Sequence, residues 1–145
     1  MTHYLEALKD LHTTLVDSRN GYEEALSDAE GKGLTPLFRE MIALRDRHHG
    51  EIDACLRRAG ETPDESGSFL SVVHRTIFKV RSIFTGLDES VLPGLIDGEE
   101  RIAGRYDEAL QACPPADVAA ILTEQRTALR QQIAKMEALR DRASA

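Results

Sequence analysis

The chain has 145 residues, of which 25 are acidic and 18 are basic, and its formal net charge is −7. This length is typical of one domain that is stable without disulfides or metal ions, so we expect a single domain over residues 1–145. The charge disfavours nucleic acid and anionic membranes as partners, and the lack of an apolar span of about 18 residues or of an N-terminal export signal predicts a cytoplasmic protein.

The first part of the chain predicts an antiparallel pair of helices. Over residues 2–29, apolar side chains recur every three or four positions and define one helix face: Tyr4, Leu8, Leu11, Leu15, Tyr22 and Leu26. Residues 31–33, Gly-Lys-Gly, end this helix, and Thr35 followed by proline is a typical N-cap and helix start. A second amphipathic helix is predicted over 35–59, with Gly60 as its terminator.

The rest of the chain predicts a connecting helix followed by a second helical pair. After a polar loop, residues 67–84 carry a broad apolar face and are interpreted as a crossover helix outside the main bundle. Two further amphipathic helices are predicted over 88–112 and 116–143. No segment alternates with the period of a strand, so the predicted class is all-α. The long crossover would let the second and third main helices run parallel.

The two helical pairs share a sequence pattern at a spacing of about 84 residues. Gly21-Tyr22-Glu23-Glu24-Ala25-Leu26 returns as Gly104-Arg105-Tyr106-Asp107-Glu108-Ala109-Leu110, and Ala43-Leu44-Arg45 returns as Ala128-Leu129-Arg130. The pattern predicts a duplicated helical hairpin and therefore a four-helix bundle. We expect the matched tyrosines to pack in the core, with each hydroxyl hydrogen-bonded across the bundle. The cysteines, Cys55 and Cys113, are expected to be free thiols.

Several short pieces carry a resemblance to known proteins: Asp17 with Gly21-Tyr22, Phe38 with Glu51-Ile52, Ser66-Gly67-Ser68 followed by His74-Arg75, and Gly98-Glu99-Glu100. Together they resemble the ferritin-like superfamily, and more closely one of its uncharacterised bacterial families, a four-helix-bundle domain of unknown function. The resemblance implies a ferritin-like bundle of two hairpins with an extra crossover helix, and a role in the stress response. We also expect the protein to form a homodimer.

The superfamily implies a dimetal site built from one Glu on each of two helices and a Glu-x-x-His pair on each of the other two. This sequence does not supply that ligand set. The predicted last helix contains no histidine, and the second helix offers only the degenerate pair Asp46 and His49. Arg19 stands near the position on the first helix where an inward carboxylate is needed. We therefore expect neither a metal nor another cofactor.

The apolar stripes instead predict a polar centre for the bundle, made of Arg19, Arg45, His48, Glu99, Gln125 and Gln132. A single acid beside arginines is better explained as a buried ion pair than as a metal ligand. Because adjacent helical residues diverge by about 100°, only one of His48 and His49 is expected to face inward. We predict no catalytic residues and prefer a non-enzymatic bundle with an ion-paired core.

Two other functions remain as alternatives. The first is a metal-dependent oxidase or iron-handling protein that holds iron or manganese at Asp46, His49 and Glu99, with help from Glu23 or Glu24. The second is a protein-binding module that presents a basic face of the crossover helix to an acidic partner. That face consists of His74, Arg75, Lys79 and Arg81.

Overall fold

The computed structural model describes residues 3–29, 34–63 and 91–144 of the chain. Within these ranges it is helical, without strands, and its helices are α1 (His3–Ala29), α2 (Thr35–Arg58), α3 (Leu92–Gln111) and α4 (Ala116–Ser144). This all-helical arrangement agrees with a four-helix bundle. The predicted crossover helix at 67–84, with its basic face of His74, Arg75, Lys79 and Arg81, lies outside the described residues.

Local signals in the sequence explain where α2 begins and ends. Its N-cap is Leu34, so Thr35 is the first helical residue and the predicted cap was one position too late. At the other end Gly60 has a φ of 82°, and the amides of Gly60 and Glu61 donate to the carbonyls of Arg57 and Leu56. This is the Schellman pattern, which satisfies two carbonyls of the last turn and needs a residue that accepts positive φ. The predicted role of Gly60 as terminator is confirmed.

The residues at the start of α3 favour their backbone conformation, whereas a residue just after its end does not. α3 is described from Leu92, with its proline in the first turn, where the missing amide hydrogen is tolerated, and the predicted start near 88 lies outside the described residues. α3 ends at Gln111, and Cys113, two residues later, has a φ of 56°, a left-handed conformation that is unfavourable for a residue with a Cβ. Cys113 is exposed and Cys55 is buried, and both are free thiols as expected.

Contacts between side chains show how the helices run. Lys9 of α1 pairs with Glu61, three residues after α2, and Arg19 of α1 pairs with Asp46 of α2. Between α3 and α4, Glu100 pairs with Arg130 and Tyr106 with Gln125. Between α2 and α4, Glu40 pairs with Lys135, and the backbone carbonyl of His48 accepts from Gln125. In each pair of helices, the partner's number falls as the residue number rises, so the two helices are antiparallel. It follows that α2 and α3 run in the same direction.

The core lies along the inner faces of the four helices. It contains the predicted stripe residues of α1 and α2, such as Leu11 and Ile52, together with Ile102 of α3 and Leu129 of α4. On α1 the buried set is wider than one stripe, because residues 11–13 and 15–18 are all buried. Within the described part of the chain, none of the helices combines the length and apolar content required to cross a membrane.

Candidate functional site: a buried polar cluster

Polar side chains from all four helices meet inside the bundle. This buried polar cluster consists of Ser18 and Tyr22 from α1, Arg45 and His48 from α2, Glu99 and Tyr106 from α3, and Gln125 from α4. None of these residues is more than 3% exposed. Each lies on the inner face of its helix, at a spacing of three, four or seven residues from apolar core positions, so the amphipathic pattern itself carries the polar groups inward.

The centre of the cluster is an ion pair between α2 and α3. Arg45 Nη2 donates a hydrogen bond to Glu99 Oε1, and the Tyr22 hydroxyl donates to Glu99 Oε2 over 2.9 Å. Arg45 Nε donates to Ser18 Oγ over 3.2 Å. Both carboxylate oxygens therefore have a donor, which is the condition under which a buried ion pair is tolerated.

Burial and the ion pair act on the pKa values of the neighbouring groups. Burial raises the pKa of Tyr22 well above its usual value, and the Glu99 charge raises it further. Burial, the largest single effect, would lower the pKa of Arg45, but the charge and hydrogen bond of Glu99 together with the neighbouring Tyr22 and Tyr106 outweigh it, so the pKa is raised. Tyr22 therefore keeps its proton and serves as a hydrogen-bond donor, while Arg45 stays charged.

A second chain of hydrogen bonds joins α3, α4 and α2. The Tyr106 hydroxyl donates to Gln125 Oε1 over 2.7 Å. Gln125 Nε2 donates to Glu51 Oε1 over 2.7 Å and to the backbone carbonyl of His48 over 3.2 Å. Burial raises the pKa of Tyr106, so this hydroxyl also keeps its proton. Gln125 uses both ends of its amide group and so fixes α4 against its two neighbours.

His48, another titratable group of the cluster, has a pKa below the usual value for histidine. Burial lowers it to about 4, and the positive charges of Arg45 and Arg47 act in the same direction. The imidazole is therefore neutral near pH 7, with one ring nitrogen able to accept a hydrogen bond. His48 is the inward-facing member of the histidine pair, whereas His49 is partly exposed at the boundary between α1 and α2.

Two residues predicted for the centre lie elsewhere. Arg19 is partly exposed and donates to Asp46 Oδ1 over 2.8 Å and to Glu23, because its long side chain reaches surface carboxylates that do not require it to lose its hydration. Gln132 is partly buried and donates to Glu40 Oε1 over 2.9 Å, at the edge of the α2–α4 contact. The structure buries the other four members: Arg45, His48, Glu99 and Gln125. Glu99 therefore pairs with one arginine rather than two.

The alternative metal ligands are held apart by different partners. Asp46 is exposed and its Oδ1 lies 3.5 Å from His49 Nε2, next to Arg19, whereas Glu99 is buried against Arg45. Glu23 is exposed and pairs with Arg19. Across residues 3–29, 34–63 and 91–144, no three His, Cys, Asp or Glu side chains form a group that could hold a metal ion.

Sequence reasoning missed a second polar group on α1, at its boundary with α2. His12 is buried, with Nε2 lying 3.5 Å from Asp53 Oδ2 and its ring edge-on to that of His49 at a centroid distance of 5.7 Å. Asp17 is buried as well. His12 follows Leu8 by four residues, so the helical period places it on the inner face, although a stripe defined by apolar residues does not include a histidine.

The repeated hairpins place equivalent residues in unequal surroundings. Tyr22 and Tyr106 are both buried, and each donates across the bundle, which confirms the role expected of the matched tyrosines. Arg45 and its counterpart Arg130 differ, because Arg45 is buried against Glu99 whereas Arg130 pairs with Glu100 at the surface over 2.7 Å. The two hairpins therefore share their helical pattern and their buried tyrosines, but only the first one places its arginine in the polar interior.

The comparison with protein families places the first three helices in a known group. A family model described as Domain of unknown function (DUF2383) matches residues 3–112, from the start of α1 to one residue beyond α3. The match includes Arg45 and Glu99 but ends before Gln125. No curated protein and no solved structure matches the chain. Because the family model spans well over half of the sequence, the chain belongs to the family described as Domain of unknown function (DUF2383).

Proposed function

We propose that this protein is a non-enzymatic bundle of ferritin-like fold, in which the Arg45–Glu99 ion pair stands where metal-binding members of that superfamily hold a dimetal site. The observation that carries the proposal is the saturation of Glu99: one carboxylate oxygen accepts from Arg45 and the other from Tyr22. A carboxylate held in this way stabilises the packing of α1, α2 and α3 against one another. The common direction of α2 and α3 supports the ferritin-like connectivity.

Metal binding at the same place would work against the charges already present. A divalent cation on Glu99 would displace Arg45 from its partner and leave two positive groups side by side in the interior. An uncompensated buried charge costs about 3–5 kcal/mol. The remaining cluster members are hydroxyl, amide and imidazole groups, which cannot replace the lost negative charge.

The pKa directions also support a non-enzymatic role. General acid–base catalysis works best with a group whose pKa is near the working pH. Within the cluster, the tyrosine pKa values are raised by burial, and burial lowers that of His48 to about 4. These groups therefore keep one protonation state near pH 7.

The homodimer, the cytoplasmic location and the role in the stress response stay predictions.

The proposal is tested by measuring the metal content of protein purified without a histidine tag, before and after incubation with ferrous iron and with manganese. We expect almost no metal per chain in either sample. The matched variants are Glu99→Gln, which removes the buried carboxylate, and Glu100→Gln, which removes its exposed neighbour. One or two metal ions per wild-type chain, lost in Glu99→Gln but retained in Glu100→Gln, would overturn the proposal.

A second candidate function is metal handling at the boundary between α1 and α2. The observation that favours it is the proximity of His12 to Asp53 and of His49 to Asp46, each at 3.5 Å. Imidazole and carboxylate are suitable ligands for iron and manganese, but no three of these described side chains form one group in the structure, so this candidate requires them to move on binding. The same metal analysis distinguishes the two functions, because this candidate predicts binding that His49→Ala abolishes and Glu99→Gln leaves intact.

A further inference from the structure

Two polar atoms of the buried polar cluster lack a hydrogen-bond partner among the described residues. They are Arg45 Nη1 and His48 Nδ1, each with almost no solvent contact. The other two nitrogens of the same guanidinium group donate to Glu99 and Ser18, so Arg45 is held in place with one end still unsatisfied. Buried donors and acceptors in native proteins are almost always satisfied by protein groups or by ordered water.

The two unsatisfied groups belong to one region of the interior. Arg45 and His48 are three residues apart on α2 and therefore lie on the same face of the helix. Side chains at a spacing of three are neighbours on a helix surface, so the His48 and Arg45 side chains occupy adjacent places there. The charge of Arg45 lowers the pKa of His48, which is consistent with this proximity.

The chemistry of the cluster restricts what could satisfy both atoms. Arg45 Nη1 requires an acceptor, and Nδ1 of the neutral His48 ring accepts a hydrogen bond when the ring proton is on Nε2. The ion pair between Arg45 and Glu99 leaves the cluster without net charge, so an added anion or cation would be uncompensated. The suitable ligand is therefore neutral, small, and able to donate and accept hydrogen bonds at once.

We propose that the buried polar cluster binds one internal water molecule, which accepts a hydrogen bond from Arg45 Nη1 and donates one to His48 Nδ1. This water joins the Arg45–Glu99 ion pair to His48, and the backbone carbonyl of His48 accepts a hydrogen bond from Gln125. It thereby connects the Tyr22–Glu99–Arg45 hydrogen bonds with those of Tyr106 and Gln125, and all four helices share one network. Internal waters of this kind make about three hydrogen bonds and act as fixed parts of the structure.

The test is a crystal structure of the full chain at a resolution that shows ordered surface waters, for the wild type, His48→Phe and the control His49→Phe. We expect one peak about 2.7–3.2 Å from Arg45 Nη1 and His48 Nδ1 in the wild type and in His49→Phe. It should be lost in His48→Phe, where the acceptor is missing. A wild-type interior without the peak, a larger molecule or an ion at that place, or an unchanged peak in His48→Phe would each overturn the proposal.

A solution measurement keeps the inference testable if His48→Phe fails to fold. In the ¹⁵N-labelled wild type, the Arg45 side-chain protons should show a cross-relaxation signal with a long-lived water. The signal should persist in His49→Phe, which keeps both Arg45 and His48, and its absence from the wild type contradicts the site. Metal content measured on the same samples separates this result from the proposed function, because the water can be missing while the protein still binds no metal.

Discussion

Arg45 of α2 donates to Glu99 of α3 in the interior of the bundle, and the exposed fractions of the two side chains are only 0% and 3%. The charges of such a pair have lost their hydration, and only their mutual attraction and their other hydrogen bonds offset that loss. The pair therefore makes the relative position of α2 and α3 specific, since sliding either helix would separate the charges. Its contribution is best measured by removing one partner, then both.

Breaking the ion pair on one side should be far more harmful than replacing it with apolar side chains. Glu99→Gln and Arg45→Met are each expected to lower the free energy of unfolding by about 3–5 kcal/mol, because each leaves a buried polar group without its charged partner. The double variant Arg45→Met with Glu99→Leu should recover most of this loss. Urea denaturation measures the three values.

The exposed pair of Arg130 with Glu100 provides the control for that series. Its nitrogen–oxygen distance is 2.7 Å, but both side chains remain in contact with solvent. Arg130→Met and Glu100→Gln should therefore change stability by at most about 1 kcal/mol. A double variant at the buried pair that is as unstable as the sum of its single variants would contradict the prediction.

The tyrosine hydroxyls should differ in importance because their acceptors differ in charge. Tyr22→Phe removes a donor from the Glu99 carboxylate, and Tyr106→Phe removes a donor from the Gln125 amide. Hydrogen bonds to charged groups are worth about 1.5–3 kcal/mol and neutral ones about 1 kcal/mol. Thermal or urea unfolding should therefore show a larger loss for Tyr22→Phe. Equal losses would mean that the carboxylate finds another donor.

The low pKa of His48 predicts a stability that falls on acidification. In the unfolded chain a histidine takes up a proton near pH 6.5, whereas folded His48 does so only near pH 4. Between these values the unfolded state binds more protons, so stability that is fully present above pH 6.5 is lost as the pH falls toward 4. The size of this contribution is on the order of 1–3 kcal/mol.

Urea unfolding at several pH values checks this dependence through the difference between wild type and His48→Phe. The difference should grow in favour of the variant as the pH falls from 6.5 to 4, since the variant has no imidazole to protonate at this position. His49→Phe keeps His48 and should retain the wild-type dependence between these values. A difference that stays constant with pH would show that folded His48 protonates as readily as unfolded His48.

How far the interior was predictable depended on the kind of residue involved. The helical period placed Arg45, His48, Glu99 and Gln125 on inner faces, and the structure buries all four. The same period also selected Arg19, but it fixes only the direction of the Cα–Cβ bond. The flexible stem of arginine lets the guanidinium turn back to Asp46 at the surface.

Other features depend on the whole tertiary arrangement. The burial of His12 and Asp17 was not predicted because α1 is buried on more than one side, and a single apolar stripe does not reveal that. The contacts of Glu51 with Gln125 and of Arg45 with Ser18 each join residues on different helices. Their formation depends on how the helices are packed and rotated, which local periodicity does not determine.

The backbone at the end of α3 offers a stabilising substitution. Cys113 has a φ of 56°, where a Cβ is unfavourable by about 1–2 kcal/mol, and glycine accepts this conformation without strain. Glycine also makes the unfolded chain more flexible, which offsets part of the gain. Cys113→Gly should therefore raise the free energy of unfolding by about 0.5–1 kcal/mol and shift the urea midpoint upward.

Two controls test whether the backbone conformation is the cause. Cys113→Ala keeps the Cβ and should give no comparable gain. Ala112→Gly, one residue earlier at a φ of −78°, should be destabilising. Equal stabilisation by alanine and glycine at position 113 would show that the thiol, rather than the backbone conformation, limits stability there.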